Sequence, residues 1–340
     1  MKKTVFNTLS PFANCFTSSF YQKISGKKLI FPFYHSVAFK TLLHIDSLYR
    51  TRTPEEFKED LFFLLKYFNT IDPLTALDLY RENKQPAKSS FLLSFDDGLS
   101  GFYHNEAPLL LEKGIPAIIF LNTAFIDNKD LFYRYKVSLL IHHLHENPET
   151  IKLITVFFAD NGIIKKNVFE DLLSVQYKNR DLLDKAAKIC QFSFSEFLET
   201  NKPYLTSEQI KELSLKGFLF GGHSIDHPMY SEISFEEQVK QTKFSVEMVK
   251  TSFNQPFSLF AFPFTDDGIS LKLFEQLYDK NNPMVDFSFS EAGLKNEEFN
   301  RHIQRIPMEG INTSGKKIIK TEYLYYLAKS MAGKNTIHRL

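Results

Sequence analysis

Two neighbouring carboxylates, Asp96 and Asp97, stand at a place in the sequence where chemistry is often carried out. They directly follow the apolar run from Phe91 to Phe95 and precede Gly98. Such a run, bounded by turn residues, predicts a strand buried on both faces. Adjacent carboxylates repel each other unless something compensates, and a bound cation is one such compensation. The alternative is an Asp-Asp-Gly turn that only ends a strand.

A histidine pair forms the second group of side chains with suitable types and spacing. His223 and His227 are four residues apart and follow Gly221 and Gly222. Two imidazoles and one carboxylate make a common open ligand set for a catalytic metal, with positions left for water and substrate. Two ordinary loop histidines are the alternative, because such spacing also arises by chance. The joint occurrence of both groups, each after a predicted strand, favours one metal site.

Strands that alternate with helices must position these side chains. The helical segments include one with a strong start signal, Thr53 before Pro54 and Glu56, which predicts a capping box. Short strand–helix–strand units predict a parallel sheet. In a parallel barrel, the side chains at the carboxyl ends of the strands meet at one rim. The predicted strands are Leu29–His35, Phe91–Phe95, Pro116–Asn122, Phe218–Phe220, Phe257–Phe264, Val285–Phe289 and Ile303–Met308.

Residues 127–203 differ from the rest of the chain, and we interpret them as an insertion packed over one side of the barrel. Their patterns are helical, apart from a strand or hairpin predicted near Ile151–Phe158. The insertion contains His142, His143 and His145, which suit a solvated helix face better than a metal cluster. We expect a single domain over 23–340, preceded by an N-terminal segment, 1–22.

Composition limits the classes of function and the location. The 340 residues carry a net charge of +1, which gives no argument for nucleic acid as a partner. Cys15 and Cys190 suggest no disulfide framework. Neither a signal peptide nor a stretch long enough to cross a bilayer is evident, so we expect a cytoplasmic protein. Membrane association is not expected, although the segment 1–22 could lie peripherally on a membrane or a partner.

These residues carry a resemblance to a known family. Ser94-Phe95-Asp96-Asp97-Gly98 resembles the first motif of polysaccharide deacetylases, the NodB homology domain, and His223-Ser224-Ile225-Asp226-His227 matches their His-Ser/Thr-x-x-His motif. The early stretch Tyr34–Val37 also resembles a segment seen in many members. The resemblance extends roughly over 29–309, apart from the insertion. It implies an α/β fold, a distorted (β/α)7 barrel.

The resemblance also implies roles for the site residues. Asp97, His223 and His227 would hold a divalent metal, often zinc, and Asp96 would be the general base. Removal of an N-acetyl group from a glycan or other sugar-containing substrate needs a water nucleophile and a polarised carbonyl, and metal-activated water fits this need. Ser224 would orient a ligand or the loop, or would only be a turn hydroxyl.

The sequence departs from the family pattern in two places. The third motif usually reads Arg-Pro-Pro-Tyr, whereas this chain has Ala261-Phe262-Pro263-Phe264, without the arginine that pairs with the base. The backbone N–H of Phe264 could still bind the substrate as an oxyanion donor. The last motif usually offers a histidine as general acid, and the comparable stretch here is Arg305–Met308.

Three residues could stand in for the missing pair. His35 ends a predicted strand at the same rim as Asp96 and could donate the proton, although a hydrogen-bonded core histidine is the alternative. Arg305 could pair with the carboxylate, and His302 is a further candidate. A second Asp-Asp-Gly, starting at Asp266, precedes a helix, and we interpret it as a turn and cap.

Two other functions stay open at this point. One is a deformylase or esterase that acts on a related small group. The other is a catalytically weak protein that keeps the metal and binds carbohydrate.

Overall fold

Seven parallel strands form the core of the protein, as seen in a computed structural model that describes residues 8–310 and 312–339. The first seven residues of the predicted N-terminal segment lie outside the described residues. We number only these barrel strands. They are β1 Pro32–Tyr34, β2 Leu93–Phe95, β3 Ala117–Leu121, β4 Leu219–Gly222, β5 Leu259–Ala261, β6 Phe287–Ser290 and β7, which has two parts, His302–Gln304 and Ile306–Pro307.

The two parts of β7 close the sheet into a barrel. His302–Gln304 pairs with β6, and Ile306–Pro307 pairs with β1 on the other side. The remaining strands are neighbours in chain order, and each pairing is parallel. Nearly all strand residues are buried, as expected where a parallel sheet is covered on both faces. The predicted (β/α)7 barrel with a helical insertion is therefore confirmed.

Helices connect the first six strands in turn, and another follows β7. Capping boxes open two of these helices, with Thr53 bound to Glu56 and Thr206 bound to Gln209, and the first confirms the predicted start signal at Thr53. The α-helices are Ser18–Ser25, Pro54–Tyr67, Pro73–Arg81, Ala107–Glu112, Tyr133–Glu146, Ile151–Asp160, Val168–Leu173, Asp181–Ile189, Phe194–Asn201, Ser207–Leu215, Phe235–Ser252, Leu271–Leu277 and Gly315–Met331.

Shorter elements complete the chain. One small parallel sheet joins Leu29–Ile30, Ser90–Phe91 and Asn69–Thr70, and another joins Asn296–Glu297 to Thr336–Ile337. The short helical turns are Ser10–Cys15, Phe102–Glu106, Ile126–Asn128, Pro148–Thr150, Tyr177–Asn179 and Tyr230–Glu232. Among the described residues, no helix is long and apolar enough to cross a membrane.

The insertion between β3 and β4 is helical and has a core of its own. The strand or hairpin predicted near Ile151–Phe158 is wrong, because the helix Ile151–Asp160 occupies this stretch. Its β-branched residues favour a strand locally, but Ile154 and Phe158, one helical turn apart, are the two buried residues. Their packing in the insertion core outweighs the local strand preference.

Glycine at the end of β4 allows a close approach of the neighbouring helix. A Cβ atom on Gly222 would lie 2.8 Å from Ser245 Oγ and 3.0 Å from the backbone of Val246, both in the helix Phe235–Ser252. No side chain fits at this distance, so the spacing between strand and helix depends on this glycine. The loop that carries His223 starts at this point.

The barrel closes around a buried, positively charged side chain, that of Arg305. Arg305 stands at the break between the two parts of β7, and its backbone N–H donates to Ser290 O (2.9 Å). Its guanidinium points into the barrel, where Nη1 and Nη2 donate to the two carboxylate oxygens of Asp96, each at 2.7 Å. Nη1 also donates to Ser94 Oγ (3.0 Å), and the ring of Phe33 lies 4.3 Å away.

We predict that Arg305→Met destabilises the protein by about 3–5 kcal/mol at neutral pH, because the Asp96 carboxylate is left buried and unpaired. The double variant Arg305→Met/Asp96→Asn should recover most of this loss, since position 96 then carries no unpaired charge. Urea unfolding of both variants measures the effect.

The exposed ion pair Arg50–Glu56 (2.7 Å) supplies the matched control. Arg50→Met should cost less than about 1 kcal/mol, as is usual for surface pairs. A double variant no more stable than Arg305→Met would show that the buried charge is not the source of the loss.

Candidate active site

A cavity of about 460 Å³ at the carboxyl ends of the strands brings seven of the predicted site residues together. The loops after the strands supply most of its wall, and the helical insertion supplies Phe132 and Arg134. The predicted residues in the wall are His35, Asp96, Asp97, His223, His227, Phe264 and Arg305.

Asp97, His223 and His227 form a group whose ligand atoms lie within 4.8 Å of one another. Asp97 Oδ1 is 3.5 Å from His223 Nε2 and 3.3 Å from His227 Nε2. This oxygen is buried and has no hydrogen-bond partner among the described residues. A buried carboxylate oxygen without a donor is costly, and a cation would satisfy it. One oxygen and two imidazole nitrogens therefore fit a divalent metal.

The histidine after β4 is held in the form that a metal needs. His223 Nδ1 lies 2.8 Å from Ala261 O, so this nitrogen carries the proton and Nε2 keeps its lone pair towards Asp97. Burial lowers the pKa of His223 to about 4, which keeps the imidazole neutral at physiological pH. His227 is fixed by its backbone, which donates to Ser224 Oγ (2.9 Å), and by the ring of Phe132 at 4.3 Å.

Asp96 is oriented by Arg305, and both residues line the cavity. Burial by itself raises the pKa of Asp96, but the Arg305 guanidinium, together with His223 and His35, outweighs burial, and the pKa is lowered from its usual value. Asp96 is thus a fixed carboxylate beside the candidate metal ligands. The arginine missing from the third motif has a geometric counterpart here, because Arg305 binds both oxygens.

His35 forms a second pair at the cavity wall. Its Nδ1 lies 2.9 Å from Glu309 Oε2, and its backbone N–H also donates to Glu309. Burial by itself lowers the pKa of His35, but Glu309, together with Asp97 and Asp96, outweighs burial and raises the pKa to about 9. The imidazole therefore holds a proton at neutral pH and faces the same cavity as Asp96.

Phe264 has backbone geometry that leaves its N–H available. Its φ is 58°, in the left-handed region, and its N–H makes no hydrogen bond with any residue of 8–310 or 312–339. Its ring packs on His227 at 4.6 Å. Ser224 also has positive φ (70°), and its hydroxyl accepts the His227 N–H, so its role here is to shape the loop.

The second Asp-Asp-Gly forms the predicted turn, in which the Ile269 N–H donates to Asp266 O (3.2 Å), but it does not cap the helix, and that part of the prediction is wrong. The helix that follows begins at Leu271 after Ser270, without a side-chain cap. Asp266 is instead buried beside His302 Nε2 (3.0 Å) and Arg339 Nη2 (2.5 Å). His302 is held in this separate cluster and is not part of the cavity wall. The sequence makes His302 a candidate for the site because it adjoins the last of the predicted barrel strands. The sequence does not show that its side chain points to Asp266 and not into the cavity.

Two residues of the site escaped the sequence analysis. Tyr135, in the insertion helix Tyr133–Glu146, donates to Asp97 Oδ2 at 2.7 Å. No local pattern links an insertion helix to a strand end, so this contact carried no signal. For Glu309 the sequence did contain a signal. Glu309 follows β7 and His35 follows the neighbouring strand β1, and the ends of parallel strands meet at the same rim.

We predict that Tyr135→Phe weakens zinc or cobalt binding by about 10–100-fold, because the hydroxyl holds Oδ2 and leaves Oδ1 facing the two imidazoles. Competition with a chromogenic chelator measures the affinity. Tyr323→Phe is the matched control, since it removes a buried hydroxyl that donates to Lys27 O far from the cavity (2.8 Å). Equal metal affinity of the two variants would refute this role of Tyr135.

Comparisons with known proteins agree with this architecture. Streptococcus pyogenes deacetylase PplD, solved in complex with acetate, is similar over 87% of this chain and 98% of its own, with a TM-score of 0.54 and 16% identity. IcaB from Ammonifex degensii is similar over 88% of this chain and 97% of its own, with a TM-score of 0.53 and 15% identity. At these identities the likeness shows the barrel fold. No curated protein matches the chain.

A family model described as polysaccharide deacetylase matches residues 83–273, more than half of the chain. The match includes both the Asp96–Asp97 pair and the His223–His227 pair. The chain therefore belongs to the polysaccharide deacetylase family and is a hydrolase that acts on carbon–nitrogen bonds other than peptide bonds.

Proposed function

We propose that the protein is a metal-dependent hydrolase that removes N-acetyl groups from a glycan or another sugar-containing substrate. The observation that carries this proposal is the single cavity in which the Asp96–Arg305 pair faces the group Asp97, His223 and His227. A base and a metal ligand set on one wall are what hydrolysis of an unactivated amide needs.

Asp97, His223 and His227 would hold the metal. When bound there, a divalent cation, with zinc as our expectation, supplies a polarised acetyl carbonyl and a water molecule of lowered pKa. Tyr135 and Ala261 orient the ligands from behind, through Asp97 Oδ2 and His223 Nδ1.

Asp96 would take the proton from the attacking water. Arg305 keeps the carboxylate ionised and prevents its rotation, because both oxygens are bound. The N–H of Phe264 would donate to the oxyanion that forms on the acetyl carbonyl, a role that needs no particular side chain. Its left-handed backbone conformation sets the direction of this N–H before substrate binds.

His35 would give a proton to the leaving amine. Its position in the cavity wall and its pair with Glu309 support this role, since the imidazole stays protonated until alkaline pH. Apolar side chains enclose the cavity, and they would exclude water and contact the sugar ring. They are Phe33, Leu48, Tyr49, Phe132, Met229 and Phe262.

We predict that Asp96→Asn keeps its metal but loses about 10²–10⁴-fold in rate on oligomers of N-acetylglucosamine, the usual contribution of a general base. His223→Ala should lose its metal on dialysis and its activity with it. Metal content by elemental analysis and released acetate are the measurements.

Two surface variants serve as controls. Asp267→Asn changes an exposed residue of the second Asp-Asp-Gly, and His104→Ala changes an exposed histidine. Both should keep metal and rate. Full metal content in His223→Ala would refute the ligand set. Turnover of N-formylated but not N-acetylated sugars would point to a deformylase, and bound metal without turnover of either would point to a carbohydrate-binding protein.

We predict an alkaline limb in the pH–rate profile that belongs to His35. The pKa of about 9 means that the rate falls as pH rises through that value, or below it when a bound cation lowers the pKa of His35. His35→Ala should lose most of the rate and the limb while it keeps its metal. Glu309→Gln should move the limb to lower pH, because Glu309 raises the pKa of His35. An unchanged limb in both variants would exclude His35 as the acid.

A further inference from the structure

An apolar stripe lies exposed near the amino terminus of the described chain. Phe12, Phe16, Phe20 and Ile24 recur every four residues and are 59%, 49%, 40% and 53% exposed. The rings of Phe16 and Phe20 stack with their centroids 4.4 Å apart. We call these four residues the aromatic stripe. Single exposed apolar residues are ordinary, but four of them within 13 residues, two with stacked rings, mark an interaction surface.

The segment that carries the stripe is held firmly on the barrel. On the opposite face of the helix Ser18–Ser25, Tyr21 is buried, stacks on Tyr323 of the C-terminal helix and donates to Ala13 O (3.2 Å). Gln22 Nε2 donates to Tyr67 O (3.3 Å). The helix therefore already has a buried face, and the aromatic stripe is a second apolar surface that the described residues leave exposed.

The charged residues of the chain segment around the stripe have one sign. Residues 1–45 contain six lysines and no aspartate or glutamate, although the whole chain has a net charge of +1. Lys23 and Lys28 beside the stripe are exposed, as is Lys316 at the start of the C-terminal helix. Lys320 of the same helix reaches Asn14 (3.3 Å), which places this basic helix against the stripe's segment.

The stripe lies away from the mouth of the cavity. Gln22 Oε1 accepts from Ser89 Oγ (2.9 Å), and Ser89 precedes the chain segment that leads into β2. The segment is thus packed near the amino-terminal ends of the strands, whereas the cavity opens at their carboxyl ends. A surface that covered the stripe would leave the cavity accessible.

We propose that the aromatic stripe docks the protein on the surface of an anionic lipid bilayer. Phenylalanine and isoleucine would enter the boundary between headgroups and acyl chains, and the surrounding lysines would contact anionic headgroups. Apolar insertion and attraction to anionic lipids add to each other, and the segment 12–28 carries residues for both. The absence of acidic residues over 1–45 favours this occupant over a protein surface of mixed charge. The sequence left such peripheral contact open, although it did not predict membrane association.

Co-sedimentation of the full chain with vesicles tests the proposal. Vesicles of equal parts phosphatidylglycerol and phosphatidylcholine should bind the protein, and vesicles of phosphatidylcholine alone should bind it at least ~10-fold less. Phe16→Asp/Phe20→Asp should weaken binding to anionic vesicles by ~10-fold or more, because two rings that would enter the bilayer are lost. Lys23→Glu/Lys28→Glu should also weaken it, and added salt should reduce binding of the unchanged protein.

Leu215→Asp/Phe244→Asp provides the matched control, since both residues are exposed on other helices (90% and 54%). This variant should bind as the unchanged protein does, and circular dichroism should show all variants folded. Equal binding to both vesicle types, or equal loss in stripe and control variants, would overturn the proposal. Self-association that Phe16→Asp/Phe20→Asp abolishes, without vesicle binding, would show that a second copy covers the stripe and would overturn it as well.

Discussion

The buried ion pair between Arg305 and Asp96 links the closure of the barrel to the preparation of its site. The guanidinium lies at the one break in β7, and it is surrounded by the rings of Phe33 and Phe120 at 4.3 and 5.2 Å. A cation in such surroundings is costly unless a carboxylate binds it with good geometry, and both oxygens of Asp96 do so. The closure of the barrel at β7 and the position of the Asp96 carboxylate therefore depend on each other.

Four of the ten non-glycine residues with positive φ in the described chain lie at the same rim. Asp97, Ser224, His227 and Phe264 are non-glycine residues with positive φ, at 68°, 70°, 61° and 58°. Each such residue costs roughly 1–3 kcal/mol and persists only where the surroundings determine it fully. Here the surroundings include the insertion, which supplies Tyr135 to Asp97 and Phe132 to His227. The insertion is thus part of the site's support and not only a cover over the barrel.

Much of the fold was predictable, because strand ends, caps and glycines act locally. The capping box at Thr53 and the buried run before Asp96 needed only neighbouring residues to be recognised. The misassigned stretch Ile151–Phe158 and the cap assigned to Asp266 failed for a shared reason. In each, contacts with residues distant in sequence decided the outcome, through the insertion core for Phe158 and through Arg339 for Asp266.

The two departures from the family pattern show why a missing residue in a motif does not imply a missing contact. At the third motif, Ala261 supplies its backbone oxygen to His223 Nδ1, and this contact needs no arginine. An ion pair requires only that the guanidinium reach the carboxylate. An arginine on β7, Arg305, can therefore pair with Asp96 in place of an arginine in the third motif. The same reasoning applies to the rim, where β1 and β7 are neighbours. His35 and Glu309 follow these two strands, so a protonated imidazole faces the cavity without a histidine in the last motif.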